Sequence, residues 1–200
     1  PTDVVKAQIY LSEPEECAVV TDVWRNHFGT SNAAYSVIPC AVGGLVTIAG
    51  KIEINLLAHR GKSAAVDAGV ATPFEGQPQA VRADDLLLLS ALLAIDGEGL
   101  LDSAAVDPRR PHLMNTAEAQ ADAILDSAEN LCAAAGTSLA NVVRSQQFYT
   151  DIADFYAVHR AWQRRLPGHP IPFSAVQVPG PLPVPGCTVM MDLWVYVPQV

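Results

Sequence analysis

The chain has 200 residues and a mass of 21.2 kDa, enough for one ordinary domain or for a small domain with part of another. Half of its residues are hydrophobic and only 16% are charged, so it can bury a sizeable core and intrinsic disorder is disfavoured. Lys and Arg total 12 against 21 Asp and Glu, a formal charge of −9, which disfavours nucleic-acid binding because phosphate backbones are repelled.

Membrane spans, metal sites and cofactor sites are not predicted from the sequence. The longest apolar run, residues 86–95, is far shorter than the roughly 20 residues that cross a bilayer. The four cysteines and five histidines show no metal-type spacing, and no motif indicates a cofactor. Reduced thiols and a cytoplasmic location are expected, since disulfides persist mainly in oxidising compartments.

The elements of the N-terminal part follow from β-branched runs, alternation and helix caps. In chain order, the pattern predicts a strand at 3–11, a helix that Ser12 caps and that runs to about Phe28, and strands at 35–40 and 50–59. Gly29 is a typical helix end. Residues 61–76 are polar and rich in Pro and Gly, and they are interpreted as a linker.

The C-terminal part alternates strands and helices. The pattern predicts a buried strand at 86–95, a turn at 96–99, a helix from Thr116, as cap, to Gly136, a strand at 142–149, a helix at 152–165, and strands at 173–178 and 187–197. The apolar face of the long helix comprises Ala121, Ile124, Leu125, Ala128, Leu131 and Cys132.

The sequence repeats itself with a shift of 138 residues, as Val4 and Val142 show (142 − 4). At this shift Gln8 matches Gln146 and Trp24 matches Trp162, so strand, acidic helix start and aromatic anchor recur in phase. We therefore expect the back half of one unit at 1–60 and a complete second unit at 77–200. The first unit is expected either to belong to a longer protein or to need a partner chain, because its strands otherwise leave unpaired edges.

Four segments resemble one family in order along the chain. Residues 51–58 look like the closing "KIEIEAIA" strand of the Rid family (YjgF-type reactive-intermediate deaminases), and residues 4–11 resemble its "dVVKttvYlt" strand. Residues 79–99 resemble its "SQAV…lflSGq…D..G" opening, and residues 133–139 resemble its "eaaGasl" helix end.

The resemblance implies an α+β, chorismate-mutase-like fold: a mixed sheet with two helices packed on one face, present here in one and a half copies. It also implies a trimeric or pseudo-trimeric homo-oligomer with ligand clefts between neighbouring units. Family members hydrolyse reactive imines and enamines, and an arginine in a "P-A-R-S-x-V" strand holds the substrate carboxylate, a task that suits the planar guanidinium.

The family pattern is incomplete in both copies. Ala34 stands at the arginine position of the first copy and Phe173 at that of the second. The opening tyrosine falls on Gln77 and the "SGq" glycine on Ala91. The closing-strand acid survives as Glu53 in the first copy, whereas the second copy has a methionine there.

The resemblance therefore places catalysis in the first copy. Glu53 is the expected acid–base residue, and Ser36 and Ser90 are expected to orient a ligand in the same cleft. That cleft would combine Glu53 and Ser36 with Gln77, Ser90 and Ala91 of a second copy in another chain. The opposite cleft, lined by Phe173 and Met190, would be apolar and without an acid–base group.

Two functions remain open on this basis. The first is a Rid-like enzyme that hydrolyses or cyclises a reactive small molecule without the usual carboxylate. The alternative is a non-catalytic module that binds a small ligand or a partner protein through its clefts. RNA cleavage ranks last, because the acidic chain offers no electrostatic footprint for a nucleic acid.

Overall fold

The computed structural model describes residues 2–28, 33–47, 49–109 and 115–199. The expected helix end at Gly29 lies outside the described residues. The strands are β1 (Val4–Leu11), β2 (Ala34–Pro39), β3 (Ile52–Ala58), β4 (Ser63–Val66), β5 (Ala80–Ala83), β6 (Leu86–Leu89), β7 (Val142–Tyr149), β8 (Phe173–Gln177) and β9 (Val189–Tyr196). The α-helices are α1 (Cys17–Phe28), α2 (Thr116–Ala134) and α3 (Phe155–Arg165).

The strands form two sheets with the same local pattern. One has the order β2-β1-β3 and the other has the order β4-β5-β6-β9-β7-β8. β1 pairs in parallel with β2 and antiparallel with β3, as β7 does with β8 and β9. The register also shifts at matching places, between Val4 and Lys6 and between Val142 and Arg144. We call β1–β3 with α1 the first unit, and β4–β9 with α2 and α3 the second unit.

The core of the second unit lies between its sheet and the helices α2 and α3. All six residues of the predicted apolar face of α2 are fully buried, which confirms the helical period. Asn115, and not Thr116, caps this helix, because its side chain accepts a hydrogen bond from the Glu118 N–H. Gly136 follows the helix with φ of 77°, the left-handed conformation that glycine adopts without strain.

Charged pairs on the surface tie α2 to α3. Glu118 accepts hydrogen bonds from Arg160 and Arg164, and these two guanidinium groups lower the pKa of its carboxyl group. Arg164 also reaches Asp122, with 2.6 Å between Nη2 and Oδ2. These exposed pairs orient the two helices but add little stability each.

Two sequence expectations need correction. The segment 61–76 is more than a linker, because Ser63–Val66 forms strand β4 and pairs with Ala80–Ala83. Only the first four residues of the buried run 86–95 form a strand. The remainder is buried but forms only isolated bridges, from Leu92 to Met191 and from Ile95 to Leu100.

The architecture is a mixed α+β fold of the chorismate-mutase-like type, as the resemblance implied. Helices α2 and α3 cover one face of the larger sheet. Among the described residues, no helix combines the length and the apolar character that a bilayer crossing requires.

Candidate functional site

The two units meet face to face, and polar side chains lie at the centre of the contact. Gln8 of β1 donates a hydrogen bond to its repeat counterpart Gln146 of β7. The Gln8 side-chain amide also donates to Asp192 of β9 over 3.2 Å, and Arg144 donates to the side-chain oxygen Oε1 of Gln8 over 3.5 Å. The matching faces of the two units therefore contact each other within a single chain.

A buried ion pair lies beside these glutamines. Lys6 of β1 and Asp192 of β9 are both almost fully buried, with 2.9 Å between Nζ and Oδ2. Ser36 of β2 donates to the same carboxylate oxygen over 2.6 Å and accepts from the Lys6 ammonium over 3.0 Å. The third ammonium proton has an acceptor in the Leu89 carbonyl oxygen. Ser36 is thus a structural member of a closed cluster and does not face an open cleft.

The electrostatics of this cluster depend mainly on burial. Loss of water lowers the pKa of the Lys6 ammonium, and the Asp192 carboxylate counteracts that shift by stabilising the charged form. Asp192 Oδ1 is buried without a hydrogen-bond partner among the described residues. The ion pair therefore belongs to the contact between the two units, and one of its buried oxygen atoms, Asp192 Oδ1, makes no hydrogen bond there.

Three of the predicted ligand-binding residues surround the backbone of one residue, Tyr35. The Gln77 amide donates to the Tyr35 carbonyl oxygen over 2.8 Å, and the Ala91 N–H donates to the same oxygen over 3.3 Å. The Tyr35 N–H donates to the Ser90 hydroxyl over 3.1 Å. The structure thus brings β2 of the first unit and the opening strands of the second unit into contact within one chain, whereas the sequence expectation placed them in different chains.

The strand register identifies the residue that is equivalent to Phe173. Tyr35 lies opposite Ala7 in the first sheet, and Phe173 lies opposite Ser145, the repeat counterpart of Ala7. Tyr35, and not Ala34, is therefore the counterpart of Phe173. Ala34 is completely buried against β5 and β6, so it has no surface for a ligand.

Glu53 lies apart from these residues. It is half-buried on β3, where it is the cross-strand partner of Tyr10 and its carboxylate accepts a hydrogen bond from the Val46 N–H over 3.2 Å. Strand β1 separates β3 from β2, so Glu53 is roughly 10 Å from the Ser36 strand, twice the spacing of neighbouring strands. The expected cleft that combined Glu53 with Ser36 and Ser90 is therefore not formed by direct contacts.

Glu53 has a phenol and a thiol as neighbours. Burial raises the pKa of the Tyr10 hydroxyl, and the negative charges of Asp192 and Glu53 raise it further against the opposing charge of Arg144. Burial likewise raises the pKa of the Cys40 thiol, and the Glu53 carboxylate adds to this shift. The raised pKa values keep the Tyr10 phenol and the Cys40 thiol protonated at neutral pH.

A groove on the opposite face of the first sheet contains the Tyr35 side chain. It lies between α1 of the first unit and two loops of the second unit, 73–75 and 181–185. The Tyr35 ring stacks on Phe74, with 5.9 Å between ring centroids, and burial raises the pKa of Tyr35 to about 12. We call this the covered groove, because loops of the second unit close over it.

The second unit has a matching groove that no loop covers in the described part of the chain. Its lining residues are Ile152, Ala153, Phe155, Tyr156, Phe173 and Ala175. Each matches a lining residue of the covered groove at the repeat shift: Pro14, Glu15, Cys17, Ala18, Tyr35 and Val37. Phe173 is 44% exposed here and packs near Phe155 and His159. We call this the open groove.

Phe173 and Met190 do not share a cleft, contrary to expectation. Phe173 faces α3 in the open groove, whereas Met190 is fully buried on the other side of the sheet, with Ile38 and Ala91. The prediction failed because both residues were assigned to one face from the family motif, while alternation along each strand places them on opposite faces.

Sequence reasoning missed Lys6 and Asp192. Each is a single charge within a strand of otherwise apolar or neutral residues, VVKAQIYL and VMMDLWVY. Opposite charges in two strands predicted to be buried indicate an ion pair, since an unpaired buried charge is too costly. Among the described residues, no three His, Cys, Asp or Glu side chains cluster at distances that suit a metal ion.

The four free cysteines should differ strongly in reactivity. Burial raises the pKa of Cys17 and Cys187 to about 11 and that of Cys132 to about 12. At pH 8 only about one in a thousand thiols with a pKa near 11 is ionised, and about one in ten thousand with a pKa near 12, while the thiolate is the reactive form. We expect iodoacetamide to label Cys40 at least about tenfold faster than the others, as measured by peptide mass spectrometry.

The unfolded chain in urea provides the control, in which all four cysteines should react alike. Labelling of Cys17 or Cys187 in the folded chain as fast as Cys40 would contradict the burial of these thiols.

Comparisons with known proteins identify the family and the fold. The family model described as Endoribonuclease L-PSP matches residues 78–197. A search of curated proteins finds no match. Among solved structures, the chain is similar to Rv2704 of Mycobacterium tuberculosis, described as a member of the YjgF/YER057c/UK114 family, at 24% identity and a TM-score of 0.52, covering 68% of this chain and 100% of that one.

Two further structures show the same fold. YyfA from Yersinia pestis, described as a Rid family protein of unknown function, is 19% identical with a TM-score of 0.53 and covers 68% of this chain and 100% of its own. RidA from an Antarctic Psychrobacter is 24% identical with a TM-score of 0.52, covering 67% of this chain and 99% of its own. The chain therefore belongs to the Endoribonuclease L-PSP family, the Rid and YjgF proteins that its strand motifs resemble.

Proposed function

We propose that the protein hydrolyses or cyclises a reactive imine, enamine or related small molecule that carries no carboxylate. The observation that carries this proposal is the position of Glu53, half-buried beside Tyr10 and Cys40 at one end of the first sheet. A carboxylate next to two protonated groups supplies both a proton acceptor and proton donors.

In the hydrolytic version, Glu53 takes a proton from a water molecule as its oxygen adds to the imine carbon. The electron pair of the C=N bond moves to nitrogen, which gains a proton. The resulting carbinolamine then releases ammonia and leaves a carbonyl compound, so that imine and water give carbonyl and ammonia. An enamine enters the same route once its carbon is protonated.

The choice of a substrate without a carboxylate rests on the residues at the arginine position. Tyr35 and Phe173 occupy equivalent places in the two units, and neither can form the paired hydrogen bonds that a guanidinium makes to a carboxylate. The Tyr35 ring lies in the covered groove, on the face of the first sheet opposite to Glu53, so the proposal uses the missing guanidinium and not the aromatic ring.

Replacing Glu53 with glutamine should lower kcat by about 100-fold or more, since general acid–base catalysis contributes roughly that factor. The amide keeps nearly the same shape, so the fold and Tm should not change. The assay is the decay of neutral and aromatic imines, generated in solution and followed by absorbance or ammonia release.

The matched control is Glu98→Gln, an acid in the exposed turn at 96–99, which should retain full activity. Full activity in Glu53→Gln would remove Glu53 from catalysis. Decay of every imine at the uncatalysed rate with the wild-type protein would instead favour the non-catalytic alternative.

That alternative, a module that binds a small ligand or a partner protein, is favoured by the open groove. Its aromatic lining of Phe155, Tyr156 and Phe173 offers contact area but no strong acid or base. A neutral aromatic ligand that raises Tm without any turnover would support this function, and Phe173→Ala should then abolish the shift.

We further propose that the chain forms one and a half Rid-like units within a homo-oligomeric or pseudo-trimeric assembly in the cytoplasm. Repeated pairings of β1–β3 and β7–β9 support the unit count. RNA cleavage, the activity in the family's name, is disfavoured by the formal charge of −9.

A further inference from the structure

The open groove exposes a row of aromatic rings on the second unit. Phe155 lies in the middle, with its ring centroid 5.4 Å from that of Tyr156 and 5.4 Å from that of Phe173. The His159 ring stacks on Phe155 with 5.7 Å between centroids. We call these four side chains the aromatic row. Tyr156 is 74% exposed, and apolar surface left in contact with water in this way marks an interaction site.

The covered groove shows what kind of segment occupies the equivalent place in the first unit. The loop between β8 and β9 lies over it with Pro181, Pro183 and Pro185. Apolar residues alternate with these prolines, and one of them, Leu182, is buried. Because proline fixes its own φ and keeps the preceding residue extended, such a segment loses little conformational entropy when it is bound.

The open groove offers proline rings more contact than the covered groove does. At the repeat shift it has aromatic rings where the covered groove has small side chains, Phe155 for Cys17 and Tyr156 for Ala18. It also has Ala153 where the covered groove has an acid. Proline-rich segments typically bind in aromatic-lined grooves, where the proline rings pack on aromatic faces. The lining of the open groove therefore fits a proline-rich segment.

Two acidic residues lie beside this lining. Asp151 and Asp154 flank Ile152 and Ala153 in the chain. The arginines of α3 pair with acids of α2, and no ion pair in the described part of the chain includes either carboxylate. Burial raises the pKa of the Asp154 carboxyl group, and the negative charge of Asp151 raises it further. A cation at this place would relieve the repulsion between the two carboxylates.

In the first unit the two equivalent acids share a cation. Glu13 and Glu16 are the counterparts at the repeat shift, and both pair with Lys51. By the register of β3 and β9, the second unit has the uncharged Thr188 at the place of this lysine. The acids beside the open groove are therefore free to pair with a cation that a partner supplies.

We propose that the open groove binds a proline-rich segment of another protein, in which apolar residues alternate with prolines and a Lys or Arg lies next to them. The proline rings pack on the aromatic row, and the cation pairs with Asp151 and Asp154. This inference names the partner of the binding alternative, on which it rests, and it does not depend on catalysis at Glu53.

Two proline-containing segments of this chain each have only part of this chemistry. Loop 181–185 carries no cation and already lies over the covered groove. Residues 108–111, Pro-Arg-Arg-Pro, carry two cations but no apolar residue between the prolines. The occupant is therefore assigned to another protein, and a second copy that presents residues 108–111 is the competing occupant.

The test measures binding of a fluorescein-labelled peptide to the chain of residues 1–200 by fluorescence polarisation. The peptide has the sequence of residues 180–185 between two arginines, so that a cation lies at either end. Tyr156→Ala should weaken binding at least about tenfold, the usual effect of removing an aromatic anchor. Tyr196→Ala is the matched control, because this exposed tyrosine lies on β9 outside the groove, and it should bind the peptide as the wild type does.

A second pair of measurements tests the charges. The double variant Asp151→Asn, Asp154→Asn should weaken binding of this peptide about three- to tenfold, since exposed ion pairs contribute up to about 1 kcal/mol each. The asparagine at 151 keeps the side-chain oxygen that accepts from the Ala153 N–H. A peptide with glutamines in place of the arginines should bind the double variant and the wild type equally. Replacing the three prolines with alanines should abolish binding.

The inference is overturned if the proline peptide does not bind, if the alanine peptide binds equally well, or if Tyr156→Ala leaves binding unchanged. A mass that rises with concentration in the wild type, but not in Tyr156→Ala or in Arg109→Glu, Arg110→Glu, also overturns it and assigns the groove to a second copy. Glu53→Gln should bind the peptide normally, so a failure of catalysis is read separately. A small aromatic ligand that raises Tm without any peptide binding would keep the binding alternative and overturn this inference alone.

Discussion

Replacing Lys6 with methionine should lower the free energy of unfolding by about 3–5 kcal/mol, the usual effect of breaking a buried ion pair by removing one partner. The ammonium of Lys6 is enclosed by Asp192, Ser36 and the Leu89 carbonyl oxygen. Methionine fills the space but leaves the Asp192 carboxylate buried without its cation. Urea denaturation followed by circular dichroism measures the change.

Lys51→Met is the matched control, because Lys51 pairs with Glu13 and Glu16 at the surface. Exposed pairs contribute about 0–1 kcal/mol, so this variant should unfold nearly as the wild type does. If both lysine variants lost the same unfolding free energy, the buried pair would stabilise the protein no more than an exposed one.

The double variant Lys6→Met, Asp192→Leu distinguishes two causes of the stability lost in Lys6→Met. If the cost of the single variant comes from an unpaired buried carboxylate, the double variant should recover much of the lost stability. No recovery would mean that Ser36 and Gln8, which both donate to Asp192, depend on the carboxylate for the geometry of the contact.

The fold was largely predictable because its signals are local. The period of α2, the caps near its ends and the β-branched runs of β1 and β7 depend on neighbouring residues only. Strand β4 was missed because it has only four residues, Ser63–Val66, whose side chains show no alternation of apolar and polar types. The segment becomes a strand only by pairing with β5.

The site was less predictable because it depends on which face a side chain occupies. A motif match gave Ala34 as the counterpart of Phe173, whereas the register gives Tyr35, one residue away and on the other face. In the same way Glu53 and Ser36 fall on strands separated by β1, a distance that no linear motif records.

The repeat itself was visible in the sequence, but the different burial of the equivalent strands β3 and β9 was not. Alternation in β3 predicts an apolar side and a polar side, and the apolar side is the exposed one. Only the comparison with β9, whose equivalent side lies under α2, explains this inversion.

Leu193→Ala and Leu56→Ala should therefore have very different costs in the chain of residues 1–200. Leu193 is fully buried in the core with α2, and truncating such a leucine costs about 2–5 kcal/mol of unfolding free energy. Its counterpart Leu56, more than half exposed, should cost less than about 0.5 kcal/mol. Both substitutions remove the same atoms from equivalent strand positions, opposite Ser145 and Ala7.

Denaturation midpoints of the two variants, measured side by side, test whether the first unit lacks a cover. A cost above about 2 kcal/mol for Leu56→Ala would mean that the β3 face is already packed in this chain, since exposed leucines do not carry such energies. A small cost would follow from the exposure of Leu56, because a side chain that is more than half in contact with water loses little burial when it is truncated.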